Sequence, residues 1–266
     1  MSEPLPSKDD KASKPKRPAG YDPKLASGRR SRLVQMAPIL LVVLFAVLLI
    51  GYIVVSNNSK KGAASAEAVR VTSSKLVTRD GTKDPKAPKA VVSFYEDFLC
   101  PACGNLERAL GSTVSRLIDI GAIAADYHMV AILSRPDNDE YSTRAGAAAY
   151  CVADENIDAF RRFHTALFSK DLQPEEVGGT YPDNNRLIEL ARQAGAAGGV
   201  PGCINSGKYL KMVAGMAKAT DIHATPTVRI NGEDYRPSTP QALVARIREI
   251  VGDVPGLDTA APSKEQ

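Results

Sequence analysis

The chain has 266 residues with a formal net charge of +4, and 44% of its residues are hydrophobic. A chain of this length and composition can bury a substantial core, in one large domain or two small ones. The positive charge is concentrated in residues 1–35, where nine Lys or Arg oppose four acidic residues, so the remainder carries −1. The basic balance therefore does not indicate a nucleic-acid-binding surface on the folded part.

The N-terminal region predicts a membrane anchor. Residues 1–35 are polar and lack apolar periodicity, which is typical of a disordered tail. Residues 36–55 are 20 uncharged, mostly apolar positions, which as a helix span about 30 Å, the thickness of a bilayer core. Three arginines between positions 29 and 32 favour a cytoplasmic N-terminus. We therefore expect a single-pass protein of the cell membrane with its folded part extracytoplasmic, where disulfides persist. The small residues at 64–66 leave cleavage of the anchor as the alternative.

The rest of the chain predicts an α/β fold. Residues 56–73 are expected to form a flexible linker, and 74–254 the folded domain. The predicted elements are, in chain order, strands over 75–79 and 90–95, a helix over 100–117, a strand over 123–133, helices over 141–153, 158–169, 184–194 and 208–219, a strand over 222–230 and a helix over 240–251. Asn231-Gly232 predicts a hairpin turn. The order indicates a sheet with a helical insertion at about 137–219, followed by a frayed tail over 255–266.

Cys100 and Cys103 lie where a predicted strand gives way to a helix. This spacing is typical of a redox-active pair. The unpaired N–H groups of a helix N-terminus favour a thiolate, so Cys100 is expected to attack and Cys103, one turn later, to resolve the mixed disulfide. Pro101 suits the first helical turn because it has no N–H to leave unpaired. A permanent disulfide remains the alternative at this point.

The other cysteines do not indicate a metal site. Zinc would need a second close pair of Cys or His ligands, and neither the three histidines nor Cys151 and Cys203 have that spacing. We expect no metal and no cofactor. In an oxidising compartment Cys151 and Cys203 most simply form a structural disulfide, with a second redox couple as the alternative.

Two segments carry a family resemblance. Residues 97–103, Asp-Phe-Leu-Cys-Pro-Ala-Cys, resemble the active-site segment of the DsbA-like thiol oxidoreductases of the thioredoxin superfamily, and 223–232 resembles that family's second signature. The resemblance covers about residues 75–251. It implies a thioredoxin-like sheet with an inserted helical domain, and a cis peptide bond before Pro226. That bond would place the backbone of Thr225 against Cys100, open to an extended substrate.

Two departures from the family pattern concern the environment of the attacking thiol. Phe94 stands where many relatives have a buried acid. Glu96 and Asp97 are the acids nearby, and with His223 they are candidate modulators, although each could be a surface, capping or structural residue. Ala102 stands where strongly oxidising relatives often carry His, so we expect a less oxidising disulfide.

The resemblance and the predicted compartment together imply an oxidase that passes its disulfide to exported proteins with free thiols. The resemblance also implies reoxidation by a quinone-linked membrane protein similar to DsbB or to vitamin K epoxide reductase. A reductase or isomerase with the same chemistry is the nearest alternative, since the direction depends on the surroundings of Cys100. An anchored, non-enzymatic binding module with a static disulfide is the other.

Overall fold

The structure is a computed structural model that describes residues 67–81, 84, 86–236 and 238–261. The predicted cytoplasmic tail, the predicted membrane span at 36–55 and most of the predicted linker lie outside the described residues. Among the helices that are described, none combines the length and the apolar character needed to cross a bilayer.

A five-stranded mixed sheet organises the described fold. The strands are β1 (Val69–Val71), β2 (Val91–Glu96), β3 (Ala124–Met129), β4 (Thr227–Ile230) and β5 (Glu233–Tyr235). Their order across the sheet is β1-β3-β2-β4-β5, in which β2 and β3 are parallel and the other pairs antiparallel. A parallel pair needs a crossover, and the helix that supplies it begins after a four-residue segment, 97–100, that follows β2.

Seven α-helices lie in the described part of the chain. They are α1 (Pro101–Asp119), α2 (Tyr141–Glu155), α3 (Ile157–Leu167), α4 (Asn184–Gln193), α5 (Val200–Ser206), α6 (Leu210–Ala219) and α7 (Pro240–Val251) in the described residues. Helices α2 to α6 form the predicted insertion, and α7 has the predicted bounds. Thr239 caps α7 by accepting a hydrogen bond from Ala242 N at 3.1 Å, as its position before a proline-initiated helix predicts.

The first strand lies earlier than predicted. Residues 75–79 contribute only an isolated bridge between Thr78 and Pro88, whereas Val69–Val71, inside the predicted linker, pairs with β3. Val69 and Val71 are buried, and Arg70 Nε lies 2.7 Å from Asp126 Oδ1. The linker prediction is wrong for these three residues, because two alternating valines are too short a pattern to be recognised without their partner strand.

The helix α5 was not predicted. Its surroundings, Gly198-Gly199-Val200-Pro201-Gly202, have a composition typical of a loop. The carboxylate of Glu155 accepts hydrogen bonds from the backbone N–H groups of Gly198, Gly199 and Val200, which satisfies the start of the helix. A cap from a residue more than 40 positions away leaves no local signal.

The C-terminal segment is folded where it is described. Leu257 and Ala260 are each about 1% exposed, in and just after a 3₁₀ turn over Leu257–Thr259. Arg116 of α1 donates to the carbonyl of Thr259. The prediction of a frayed tail is therefore wrong for residues 257–260, whose two apolar side chains complete the core beside α1.

The hairpin between β4 and β5 is confirmed. Ile230 pairs with Glu233 across Asn231-Gly232, and these two turn residues have φ values of 52° and 88°. Positive φ at both central positions is what the tight hairpin turn requires. Strand β4 begins only after Pro226, so the strand predicted over 222–230 is shortened at its start.

A disulfide joins two helices of the insertion, as predicted. Cys151 of α2 and Cys203 of α5 have bonded sulfurs, with Cα atoms 5.8 Å apart, and they are 52 positions apart in sequence. That Cα distance is within the usual range for a disulfide. The bond ties the short helix α5 to the more extensively buried α2.

Replacing both Cys151 and Cys203 by Ala should lower the free energy of unfolding by about 4 kcal/mol, the chain-entropy value for a loop of this length. Denaturant unfolding of the variant and wild type, with Cys100–Cys103 oxidised in both, measures the loss.

Under mild dithiothreitol the wild type should open Cys100–Cys103 and retain Cys151–Cys203. Equal lability of the two disulfides would contradict a purely structural role.

Candidate active site

Two free thiols lie at the start of α1. Cys100 is the N-cap residue, in extended conformation with φ −74° and ψ 117°, and it is 7% exposed. Pro101 and Ala102, which follow it, are exposed, whereas Cys103 is completely buried. A partner can therefore reach Cys100 from the surface, and Cys103 can react only with a group already joined to Cys100.

The surroundings of Cys100 favour its thiolate. Its Sγ can donate to the carbonyl oxygen of Thr225, at 3.5 Å, only while the thiol is protonated, and the Thr225–Pro226 peptide bond is cis. Hydrogen bonding from the Cys103 thiol, with further contributions from the Thr225 side chain and the N–H groups of Ala102 and Cys103, outweighs burial and lowers the pKa of Cys100 to about 6. Cys100 is thus mainly ionised at neutral pH.

Cys103 has the opposite preference. Burial raises the pKa of Cys103 far above its ordinary value, and the hydrogen bond to Cys100 and the charges of Glu96 and Cys100 raise it further. The pair is therefore asymmetric, with one ready nucleophile and one thiol that reacts only after losing its proton. A group inside the protein must accept that proton.

A buried acid cluster lies in this region. Glu96, the last residue of β2, has no exposed surface, and its Oε2 lies 2.9 Å from Nε2 of His164 on α3. Glu107, one helical turn after Cys103, lies with its Oε2 3.7 Å from His164 Nδ1. Burial raises the pKa of both carboxyl groups to about 8 and lowers that of His164. The second oxygen of Glu96, Oε1, has no hydrogen-bond partner among the described residues.

This cluster can exchange protons with Cys103. A carboxyl group with a pKa near 8 gives or takes a proton at neutral pH at little cost, and Glu96 is the member whose charge acts on Cys103. Glu107 lines a surface cavity of about 490 Å³ between α1 and α3. Glu96, His164 and Glu107 therefore form a chain of titratable groups between the interior and this surface cavity.

The same three side chains are a possible cation site in the described part of the chain, since one ligand atom of each lies within 4.8 Å of the others. The hydrogen bond of His164 to Glu96 and the position of Glu107 at a surface cavity favour a path for protons. We assign it proton exchange.

Glu96 supplies the buried carboxyl group that Phe94, at the position where many relatives have an acid, does not. Residues two apart on a strand project from the same face, so Glu96 emerges on the side of β2 where Phe94 stacks on Tyr127, with ring centres 5.2 Å apart. The sequence singled out Glu96 as a candidate modulator and left a surface or capping role open. Its complete burial excludes a surface role.

The other two candidate modulators differ from Glu96. Asp97 is buried, and its two oxygens accept hydrogen bonds from Leu99 N and Leu133 N, both at 2.9 Å, so it shapes the loop before Cys100. His223 is exposed and its Nε2 lies 3.1 Å from Asp221 Oδ1. The groups found to shift the pKa of Cys100 do not include it.

Sequence reasoning missed Glu107 and His164. Glu107 lies four residues after Cys103, hence on the same helix face, which was a usable signal. His164 lies four residues after Phe160 on the apolar stripe of α3 and four before Phe168, which follows the helix, and a histidine within such a stripe indicates a buried imidazole. Its partners come from β2 and α1, which no local pattern on α3 reveals.

Comparisons with known proteins agree with this geometry. A family profile described as thioredoxin matches residues 83–249. The solved structure of oxidised DsbA from Mycobacterium tuberculosis is 70% identical with a TM-score of 0.71, covering 73% of this chain and 98% of that one. The reduced disulfide bond oxidoreductase DsbG from the same organism is 67% identical with a TM-score of 0.72, covering 77% and 97%. The predicted thioredoxin-like α/β fold is confirmed.

A curated relative shares a shorter segment. Serine/threonine-protein kinase PknE of Mycobacterium tuberculosis strain H37Rv is 34% identical over 141 residues, which are 52% of this chain and 24% of the kinase. The chain thus spans about a quarter of the length of that relative, and the likeness concerns one part of it.

Replacing Glu96 by Gln should slow the attack of Cys103 on a mixed disulfide at Cys100 by about 10²-fold at neutral pH, because the amide cannot accept the proton. The decay of a preformed mixed disulfide, followed across pH, measures the step. In the wild type the rate should rise through about pH 8, where Glu96 ionises, and the variant should lack that inflection. Glu189→Gln, at a partly exposed carboxylate of α4, is the matched control, and an unchanged profile in Glu96→Gln would exclude the relay.

The stability of the reduced protein, compared with the oxidised one, should rise between about pH 6 and pH 9. The pKa of Cys100 falls from 9.0 to about 6 on folding, so its thiolate stabilises the native state increasingly across that window, and this contribution is lost as the pH falls through 6. Denaturant unfolding of both redox forms at several pH values measures the difference. A reduced Cys100→Ser variant should lack this slope.

Proposed function

The chain belongs to the thioredoxin family as a protein disulfide oxidoreductase, and from that premise we propose that it introduces disulfides into exported proteins. It would act outside the cytoplasm, held to the cell membrane by the predicted span at 36–55. The donated disulfide is the one between Cys100 and Cys103.

The observation that carries this proposal is the opposite ionisation of the two thiols. A substrate thiolate attacks Cys100 Sγ, the Cys100–Cys103 bond breaks, and Cys103 leaves with a proton supplied by Glu96. A second substrate thiolate then attacks the substrate sulfur of the mixed disulfide. Cys100 leaves as a thiolate, and its lowered pKa makes it a good leaving group. The substrate loses two electrons to the enzyme, which ends with both thiols reduced.

The backbone at Thr225 supports a protein substrate. Its carbonyl lies 3.5 Å from Cys100 Sγ, beside the exposed residues Pro101 and Ala102. An extended segment of a substrate would pair with this backbone while its cysteine meets Cys100, since main-chain pairing binds chains of varied sequence. This explains how one enzyme would serve many exported proteins.

Reoxidation would use a quinone-linked membrane protein, DsbB-like or similar to vitamin K epoxide reductase. Two electrons would pass from the thiols of Cys100 and Cys103 through a disulfide of that partner to a quinone. Tethering both proteins to one membrane raises their effective concentration, which supports the pairing.

A reductase or isomerase is the second candidate, and the acid cluster around Glu96 supports it, because the cluster can serve thiol exchange in that direction too. A carboxyl group with a pKa of about 8 removes a proton from Cys103 as readily as it supplies one. The relay therefore serves exchange in both directions, and the electron source or sink in the cell decides which one dominates.

Replacing Cys103 by Ser in the full-length protein should accumulate mixed disulfides with exported proteins, because the resolving thiol is absent. Replacing Cys100 by Ser should trap none. Non-reducing electrophoresis after acid quenching and thiol alkylation measures both. The wild-type pair should be trapped oxidised in growing cells. A pair trapped reduced would favour the reductase, and full function of Cys100→Ser would favour the binding module.

A further inference from the structure

A glutamine from the helical insertion contacts the redox loop directly. Gln173 lies in the segment after α3, and its Nε2 is 2.9 Å from the carbonyl oxygen of Cys100 and 3.3 Å from that of Phe98. A primary amide has two N–H groups, so both bonds can form together. These two carbonyls belong to the last residues before α1, with only Leu99 between them.

The orientation of the Gln173 amide is defined by a second set of contacts. Arg108 of α1 donates from Nη1 to Gln173 Oε1 at 3.1 Å and to the carbonyl of Phe168 at 2.6 Å. Its Nη2 donates to Asn105 Oδ1 at 2.7 Å. Because Oε1 must accept from a guanidinium, which has only donors, Nε2 must face the two backbone carbonyls.

Gly104 provides the space for this arrangement. A Cβ atom at position 104 would lie 1.9 Å from Gln173 Oε1, closer than any non-bonded contact. The residue is within α1 and needs no unusual backbone conformation. The glycine therefore allows the Gln173 side chain to approach the first turn of α1 closely.

We propose that Gln173 is a positioning residue that holds the backbone of Cys100 so that its sulfur stays over the first N–H groups of α1. Asp97 holds the same loop from the other side through Leu99 N. With one residue accepting from an N–H and the other donating to carbonyls, the loop has little freedom to turn Cys100 away. The proposal rests on the role of Cys100 as the attacking thiol, and it makes the helical insertion a determinant of that thiol's reactivity.

The test is the titration of the Cys100 thiolate by its ultraviolet absorbance, in the reduced protein with Cys151–Cys203 intact. Gln173→Ala should raise the pKa of Cys100 by about half to one unit, as expected when a hydrogen bond that orients the group is lost. The rate of its reaction with a small disulfide below that pKa should fall by about three- to tenfold. Gln193→Ala, at an exposed glutamine of α4, should change neither.

A second variant tests whether the placement of the Gln173 amide matters, and not only its presence. Gly104→Ala keeps the Gln173 amide but displaces it, and alanine is favourable inside a helix, so the variant should fold and show the same rise. A lower unfolding midpoint with an unchanged titration in both variants would overturn the proposal by reducing Gln173 to a structural contact. That result would leave the proposed function intact. The proposed function is contradicted by a different result, namely that Cys103→Ser traps no substrate.

Discussion

The stabilised thiolate of Cys100 at the start of α1 is the interaction on which the site depends. The N–H groups of one helix end and the neighbouring thiol of Cys103 favour a negative charge at Cys100, while the interior favours a neutral Cys103. The two sulfurs cannot exchange roles unless a proton moves inside the protein. The depth of Cys103 therefore requires a buried proton acceptor, and β2 ends on one at Glu96.

Three segments that are distant in sequence meet at this helix end. The β2–α1 junction carries the cysteines, the loop before β4 brings Thr225 to 3.5 Å from Cys100, and the insertion contributes His164 and Gln173. The sheet and the first helix define where the chemistry occurs. The insertion reaches both the buried proton path and the backbone of the nucleophile, so it is part of the redox centre rather than a cover placed over it.

The features that sequence predicted well have local signals. The cysteine pair, the Asn231-Gly232 turn and helix α7 each depend on residues a few positions apart, and the structure has them where expected. The strand β1, whose partner lies more than 50 residues away, was not recognised. The role of Glu96 depends on burial against α3, so its identity as an acid was visible and its environment was not. Gln173 has no local signal, since an isolated glutamine in a loop is ordinary.

The close approach of Gln173 to Gly104 has a consequence for how this site can vary among related chains. A larger residue at position 104 fits only where position 173 has become smaller or has moved, because a single added carbon would lie 1.9 Å from the amide oxygen. The two positions, 69 residues apart in this chain, should therefore change together. Correlated substitution at these two positions would identify, from sequence alone, the relatives in which the insertion still contacts the first turn of α1.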